Sequence, residues 1–456
     1  MSLLSLDRRR TGPRAAGFVA VSLALMVGTY IAAGFRTSPA PVVPSPRASG
    51  PSTIGVTLDV GDAPAISLAQ VDHSIAAWAK NLAANPHDYL SATNLAVLYQ
   101  GRGRLSYDLG DYQRSLDAAR QAMAIEPTDV SARLAEASTL VSLHDFGAAL
   151  AAADAILTDT PTLPAALAVR FDAELELGRI DAARDDLAAL APVGGAAILI
   201  REARLASVTG GAERALELAT AARGSAVDDE VQDLGIYDYA VGEYARLAGD
   251  PVTARQGYGA ALETSSTDVG ALVGLARIDA FEGSTAAAIE RLRQATTIAP
   301  QPEALGLLGD LLRFADPGDA EARKAFETIR FTERLGDLQA TTYDRQLLRF
   351  DIDHGEADDA LLARVQTSVD ARPDASGHDL LAWALYRLGR YTDAAKEVSA
   401  ARALGADDAR LRFHDGAIRV ALRDVEPGRA LLGSAASSGP ALDPLEREEL
   451  ATLLGT

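Results

Sequence analysis

The residues in this sequence that are best suited to chemistry are histidines followed directly by aspartates. Imidazole nitrogens and carboxylate oxygens both bind divalent metals, and such pairs from several helices can share an ion that activates water for phosphate-ester hydrolysis. The 456-residue chain contains six histidines. Four of them stand in this dipeptide, at His87-Asp88, His144-Asp145, His378-Asp379 and His414-Asp415.

The surroundings of these dipeptides favour structural roles. His87-Asp88 directly follows Pro86, a position where an aspartate can cap the start of a helix. His144-Asp145 coincides with the turn of a repeated unit described below. Only His378-Asp379 and His414-Asp415 are placed so that they could approach each other, about one unit apart. We therefore predict no metal site.

Other motifs do not indicate an active site either. The glycines of residues 101–104 and of Gly194-Gly195 lack the strand–turn–helix setting of a phosphate-binding loop. The chain has no cysteine, which excludes disulfides, thiolate metal sites and cysteine nucleophiles. Three pairs of adjacent aspartates are expected on solvated surfaces or near helix starts, where negative charge suits the helix dipole. They are Asp185-Asp186, Asp228-Asp229 and Asp358-Asp359. We predict a protein that is not an enzyme, with no cofactor and no evident small-molecule substrate.

The charge of the chain limits its partners. It carries 63 acidic and 43 basic residues, a net charge of −20. Residues 1–47 contain six arginines and one aspartate, so the remainder is more acidic still. Because a surface of this sign repels phosphate backbones, we expect no nucleic-acid partner.

The amino-terminal region predicts attachment to a membrane. Residues 15–35, AAGFVAVSLALMVGTYIAAGF, are uncharged, and as a helix they would extend about 32 Å, enough to span a lipid bilayer. Arginines precede this run, which favours a basic cytoplasmic terminus at residues 1–14 and a single-pass anchor. The alternative is a cleaved secretory signal, in which case the mature protein is secreted. Residues 36–66 are proline-rich and predict an extended linker.

From residue 67 onward the sequence shows helical periodicity and repeats itself every 34 residues. A self-similarity of this period is typical of stacked helix pairs. Three sets of residues show the spacing in consecutive units: Tyr112, Phe146 and Ile180; Ser115, Ala149 and Ala183; Ala122, Ile156 and Leu190. Near the carboxyl end Gly355, Gly389 and Arg423 show it again.

The positions that repeat every 34 residues have a physical interpretation. Glycines are expected where the first helix of a unit ends, because a left-handed backbone suits them there. They are Gly110, Gly178, Gly283, Gly355 and Gly389. A large apolar residue two positions after the turn (Tyr112, Phe146 or Tyr391) is expected to cover the start of the second helix. Small residues further on would allow the two helices to cross closely.

These features resemble the tetratricopeptide repeat family. The similarity is clearest in LGDYQRSLDAARQAMAIEP and LAWALYRLGRYTDAAKEVSAARAL, and it extends over residues 67–440 in about nine or ten units. Some units depart from the pattern. Residues 90–108 are about two turns too long, a polar break follows Arg223, and residues 302–330 need an insertion.

The resemblance implies an all-α fold, an α-solenoid superhelix of stacked antiparallel helix pairs. Each pair leaves apolar surface that only the next pair can cover, so the units share a continuous core. The first helix of each pair would face the concave side. Residues 441–456 would form a polar carboxyl-terminal cap.

Two groups of residues occupy positions that face the concave groove in the resembled family. Aromatic residues and arginines give large contact areas or paired hydrogen bonds to a protein partner. The first group is Trp383, Tyr386 and Phe413, and the second is Tyr239, Glu243, Arg246, Arg277 and Phe281. Packing in the core is the alternative for the aromatic group, and solvated helix faces are the alternative for the second.

We therefore expect a non-enzymatic scaffold of the bacterial cytoplasmic membrane, anchored to the lipid bilayer through residues 15–35 with its repeats outside the cytoplasm. It would bind a protein or a peptide. Two alternatives remain: an envelope structural protein that self-associates, and an accessory subunit of a separately encoded enzyme.

Overall fold

The computed structural model describes residues 68–228, 233–334, 344–355 and 357–455. The predicted cytoplasmic terminus at 1–14, anchor at 15–35 and linker at 36–66 lie outside these residues. Across the described ranges the secondary structure is α-helix and short 3-10 helix, without strands. None of the helices found there combines the length and the apolar character needed to cross a bilayer.

The described part of the chain contains 22 α-helices and two 3-10 helices, at Ala191–Val193 and Gly439–Ala441. In chain order the α-helices are α1 Leu68–Ala84, α2 Tyr89–Ser106, α3 Leu109–Ile125, α4 Val130–Ser142, α5 Phe146–Asp159, α6 Pro164–Glu176, α7 Ile180–Leu190, α8 Ala196–Val208, α9 Ala212–Asp228, α10 Gly235–Leu247, α11 Pro251–Thr264, α12 Val269–Phe281, α13 Thr285–Ile298, α14 Pro302–Ala315, α15 Ala320–Arg334, α16 Asp344–His354, α17 Asp359–Ala371, α18 Ala375–Arg387, α19 Tyr391–Ala403, α20 Ala409–Ala421, α21 Val425–Ala436 and α22 Pro444–Leu454.

Aspartate and proline mark many of the helix starts. A side-chain carboxylate before the first turn accepts hydrogen bonds from free backbone N–H groups, as Asp88 does from Ser91 and Asp268 does from Ala271. Proline fits the first helical position because its missing N–H would have no partner there. It occupies that position in α6, α11, α14 and α22.

Helices α2 to α21 form ten consecutive antiparallel pairs, with α1 before them and α22 after them. Each pair packs on the next, and first helices also contact first helices, as α2 contacts α4 and α10 contacts α12. From α4 onward the first helix of each pair is the more buried one. In α12 all residues of Val269–Asp279 are buried, whereas α13 buries three residues. The first helices therefore form the inside of the solenoid and the second helices its outside.

The turns within the pairs follow the predicted register at several positions. Gly178, Gly283 and Gly389 have positive φ angles of 71°, 83° and 72°. At the same register His144 and Arg423 adopt φ angles of 60° and 70° without being glycine.

Two glycine predictions were wrong. Gly110 lies in the first turn of α3, because the longer helix α2 moves the left-handed position to Tyr107 with φ 59°. Gly355 follows α16 but does not have a positive φ. The extra length of α2 itself, 18 residues against 13 in α4 and α6, confirms the longer first unit.

The superhelix turns tightly enough for distant units to touch. The turn at Gly210 packs against Gly405, and the turn at Gly249 packs against Ser438. Arg246 bonds the carbonyl of Pro440, 194 residues further along the chain. Loops of the early units therefore rest on loops of the late units.

The turn at Gly178 makes the closest of these contacts between early and late loops. Its replacement by alanine is expected to disrupt that contact. A Cβ there would lie 2.7 Å from the carbonyl oxygen of Pro373 and 2.9 Å from Cα of Asp374. Gly389→Ala is the matched control, since Gly389 has the same φ but no neighbour within 4 Å. We expect a loss of about 1–2 kcal/mol from the left-handed backbone in both variants, and about 1–3 kcal/mol more at Gly178 from overpacking. Urea unfolding measures the stability of both variants. Equal losses of free energy of unfolding would contradict the contact between the early loop at Gly178 and the late loop at Asp374.

Candidate functional site

The chain's own carboxyl-terminal residues lie in the groove formed by the first helices of the later units. We call the inner face of α10, α12, α14, α16, α18 and α20 the inner groove, and residues 438–455 the C-terminal segment. The 3-10 helix of this segment contacts α10 and α12, and α22 contacts α12 and α14 as well as its neighbour α21. The C-terminal segment thus connects opposite walls of the groove.

Arginines of the early wall bind the start of the C-terminal segment. Arg246 donates from Nη1 to the carbonyl oxygens of Pro440 and Ala441, both at 3.1 Å. Arg277 donates from Nε to Oδ1 of Asp443 at 2.6 Å. Both arginines are buried, so these charge-assisted bonds lie in a poorly solvated environment where they are strong.

Arginines of the late wall bind the helix that follows. Arg410 pairs with Glu446 and lies 3.4 Å from Oδ2 of Asp443. Arg387 at the end of α18 pairs with Glu449. Burial alone would raise the pKa of Asp443, but the charges of Arg277 and Arg410 outweigh it and hold that pKa well below its usual range. The segment is therefore held as an anion.

The second predicted group comes together around the start of this segment. Glu243 accepts hydrogen bonds from Nη2 of Arg246 at 2.6 Å and from the hydroxyl of Tyr258 at 2.5 Å. Tyr239 is buried and lies edge-on to Tyr258, with ring centroids 5.6 Å apart. Phe281 is half-buried, with the guanidinium of Arg447 5.2 Å from its ring centroid. These residues line the groove side, but the chain itself covers them.

The first predicted group also forms one cluster. Trp383 stacks on Tyr386 with ring centroids 4.8 Å apart, and Phe413 packs at 5.3 Å from Trp383. Trp383 is 2% exposed and Phe413 is fully buried, while Tyr386 is half-buried. Nε1 of Trp383 donates to Asp353 at 3.0 Å. The structure places Trp383 and Phe413 in the hydrophobic core between α18 and α20.

One residue of each group borders a cavity beside α22. Its volume is about 700 Å³ including the solvent at its mouth, and its walls include Arg277 from the second group and Trp383 from the first. In the sequence these two residues are more than a hundred positions apart. The superhelical turn brings them to the same space.

Sequence reasoning missed the residues that complete this site. Arg349, Arg387 and Arg410 line the cavity from three successive first helices, and Tyr258 fills the crossing of α10 with its neighbours. No repeated spacing marked the three arginines, since Arg349 lies in the middle of α16, Arg387 at the end of α18 and Arg410 at the start of α20. Nothing in the sequence indicated that carboxylates of the predicted cap would face them.

The His-Asp dipeptides separate into different roles. Asp88 and Asp145 cap helices, as the predicted turn and helix-start positions imply. The two late dipeptides do approach each other, because Nδ1 of His414 lies 2.6 Å from Oδ1 of Asp379. However, His378 contacts Glu397 instead. No group of three or more potential ligands is placed to hold a metal within residues 68–455 as far as they are described.

A different histidine faces the cavity and gives a testable pH response. Nε2 of His354 lies 2.7 Å from Oδ1 of Asp310, and its ring packs on Phe350 at 4.6 Å and Phe326 at 4.8 Å. Burial lowers the pKa of His354, but the hydrogen bond and charge of Asp310, together with the charge of Asp353, raise it above the ordinary 6.5. The stability that His354 contributes is therefore present below pH 6.5 while Asp310 is ionised, and it is lost as the pH rises through the raised pKa of His354. Because burial also raises the pKa of Asp310, protonation of that carboxylate removes the pair in acid.

We expect the ring proton resonances of His354 to titrate with a midpoint above 6.5 in NMR spectra. In Asp310→Asn the midpoint should fall, since burial then acts without its counter-charge. The missing resonance in His354→Gln assigns the signal. An unchanged midpoint in Asp310→Asn would contradict the pairing.

Among known proteins, the similarities found are to solved structures. No protein-family model matches the sequence, and no curated protein matches it. Among solved structures, a tetratricopeptide repeat protein from Parabacteroides merdae is 18% identical, with 57% of this chain and 98% of that chain covered and a TM-score of 0.31.

Two other similar structures are PilW and human IFIT1. The type IV pilus biogenesis factor PilW is 18% identical over 46% of this chain and 96% of its own, with a TM-score of 0.37. Human IFIT1, solved as a dimer with PPP-AAAA, is 14% identical over 74% of this chain and 88% of its own, with a TM-score of 0.44. Similarities of this size identify no partner for this chain.

Proposed function

We propose that this protein is a non-enzymatic scaffold that binds a protein or peptide partner outside the cytoplasm while it is tethered to the bacterial cytoplasmic membrane. The observation that carries the proposal is the arrangement of ten helix pairs in one continuous solenoid. Such an array presents a long surface built from many units, which is suited to contact with another macromolecule.

The charge and the amino-terminal sequence support the other parts of the proposal. A net charge of −20 opposes binding to nucleic acid and favours a protein partner. The uncharged run at 15–35 is long enough to anchor the chain in the lipid bilayer, and the proline-rich residues 36–66 would hold the solenoid away from it.

The binding function is tested by chemical crosslinking of the full-length chain in intact cells, with an affinity tag inserted into residues 36–66. The control carries residues 1–66 fused to an unrelated soluble protein. We expect one or a few proteins to be enriched over this control. Capture of nothing above the control would contradict the scaffold function, and metal-dependent phosphate-ester hydrolysis by the purified chain would contradict its non-enzymatic nature.

The location is tested by adding protease to spheroplasts of the same cells. We expect the solenoid to be digested from outside while the chain stays in the membrane fraction. A solenoid protected until the membrane is broken would contradict the orientation. Release of the mature chain into the medium would identify residues 15–35 as a cleaved signal.

A further inference from the structure

The contacts of the C-terminal segment are those of a ligand in a binding site. It receives hydrogen bonds or ion pairs from Arg246 on α10, Arg277 on α12, Arg387 on α18 and Arg410 on α20. Nη1 of Arg349 on α16 lies 3.7 Å from Glu446. A helix that merely capped the last pair would contact that pair alone, whereas this segment is bound by arginines from five units.

The spacing of its carboxylates explains how one helix meets these arginines. Asp443, Glu446 and Glu449 follow one another at intervals of three residues. Asp443 is the N-cap of α22, Glu446 and Glu449 lie three residues apart on one face of that helix, and all three line the cavity. Glu448 lies on the other face and is exposed. The motif that the groove recognises is therefore a helix with acidic residues at positions i, i+3 and i+6.

The groove has the opposite charge to its occupant. The residues that line the cavity apart from the C-terminal segment include four arginines against three carboxylates, and each of the four arginines lies within 4 Å of a carboxylate of the segment. Their identities are Arg277, Arg349, Arg387 and Arg410 with Glu303, Asp310 and Asp353. In a chain with a net charge of −20, such a row of arginines favours a negatively charged ligand.

The C-terminal segment does not use all the donors that the groove offers. Nε and Nη1 of Arg349 and Nε of Arg387 are buried but have no hydrogen-bond partner among the described residues. Both arginines line the cavity beside α22. A buried N–H group without a partner is unfavourable, so a ligand with further carboxylates or carbonyls there would bind more strongly than the present occupant.

Apolar residues hold the segment as well as ion pairs do. Pro440, Ala441, Leu442, Pro444 and Leu450 are buried, and Ala441, Leu442 and Leu450 belong to the same hydrophobic cluster as Trp383 and Phe413. A competitor must therefore match both the carboxylates and these apolar residues. A helix that carries the same pattern of charged and apolar residues can make the same contacts.

We propose that the inner groove binds an acidic helix of a partner protein, with carboxylates at i, i+3 and i+6, and that this helix displaces the C-terminal segment. The proposal rests on the scaffold function proposed above and names the chemistry of its partner. The segment acts as an internal competitor that lowers the affinity of the groove for acidic helices with fewer contacts.

The test uses the full-length protein and a fluorescent synthetic peptide with the sequence of residues 439–455. In the double variant Glu446→Gln/Glu449→Gln the internal competitor loses two of its charges. We expect this variant to bind the peptide about tenfold more tightly than the unaltered protein does, with an affinity that falls as salt is added. Glu448→Gln removes one charge from the exposed face of the same helix and should behave like the unaltered protein.

A second peptide, in which the counterparts of Asp443, Glu446 and Glu449 are amides, should bind neither protein. Hydrogen exchange of the unaltered protein provides a readout that does not depend on the folding of a variant. An isotope-labelled excess of the acidic peptide should accelerate amide exchange in residues 444–455. Absence of both this acceleration and the gain in affinity would overturn the proposal.

The outcomes separate this inference from the scaffold function. If crosslinking captures a partner but the acidic peptide neither binds nor displaces the segment, the groove proposal fails and the scaffold function stands. If the double variant forms dimers in sedimentation and ignores the peptide, the occupant is the segment of a second copy, and the proposed partner is wrong.

Discussion

Replacing Asp172 by alanine is expected to lower the free energy of unfolding by about 3–5 kcal/mol, the typical effect of leaving buried charges without their counter-ion. Asp172 on α6 is fully buried and accepts from Nη2 of Arg201 at 2.8 Å and from Nη1 of Arg204 at 2.9 Å. Both arginines on α8 are about 1% exposed. Without the carboxylate, Arg204 would keep Glu176 and Arg201 would keep the carbonyl oxygen of Ala197, but both guanidinium groups would lose the buried charge that they share.

The control for this prediction lies in the second helix of the same unit. Asp181 pairs with Arg184 at 2.8 Å, but its side chain is 96% exposed. Exposed pairs contribute about 0–1 kcal/mol, so Asp181→Ala should leave stability nearly unchanged. Chemical unfolding followed by circular dichroism measures both variants. Similar small losses would show that the buried carboxylate is not needed to neutralise α8.

The second large effect is expected where α10 crosses α11. A Cβ added to Gly257 would lie 2.4 Å from the backbone nitrogen of Gly242 and 2.8 Å from the carbonyl oxygen of Asp238. Backbone atoms of a packed helix cannot move aside as a flexible side chain can. We expect Gly257→Ala to lower the free energy of unfolding by about 2–3 kcal/mol, toward the upper end for overpacked cores.

Gly259, two residues further on, is the matched control, and its replacement by alanine is expected to have the opposite effect on stability. Gly259 lies on the same helix, but a Cβ there would meet no atom within 4 Å. Alanine is favoured over glycine in a helix by about 0.8–1.0 kcal/mol, so Gly259→Ala should stabilise the protein slightly. Urea unfolding of the two variants separates packing from helix propensity. If Gly257→Ala were also neutral or stabilising, the close crossing would be disproved.

The same crossing affects the inner groove. Tyr258 lies between the two helices and donates its hydroxyl to Glu243, which in turn holds Arg246. Burial and the charge of Glu243 raise the pKa of Tyr258 well above its ordinary value, so this hydroxyl remains a donor. The close packing that the glycines permit therefore positions an arginine that binds the C-terminal segment.

Much of the helical architecture could be predicted from local sequence. A helix start was expected after His87-Asp88, and Asp88 caps α2, which begins at Tyr89. The 34-residue step placed the turns at Gly178 and Gly389, because these positions need a left-handed backbone that glycine adopts without strain. The expectation of about nine or ten units agrees with the ten described pairs.

The local signals failed where one unit differed in length or in its turn. At Gly110 the step of 34 was applied to a unit whose first helix is longer, so the predicted turn fell inside α3. The turn at His144 shows the converse, because a residue other than glycine adopts the left-handed backbone there. Periodicity identifies a position, but the length of the preceding helix decides which residue occupies it.

The sequence by itself determined the helices and their pairing, since these depend on contacts between residues close in the chain, whereas the inward direction of the first helices was expected from the family resemblance. Only the tertiary structure decided that Gly178 rests on Asp374, that one residue of each predicted group borders the same cavity, and that the C-terminal segment lies against the groove arginines. These contacts depend on the rotation from each unit to the next. A small rotation accumulates over several units before distant loops meet, and no short stretch of sequence contains it.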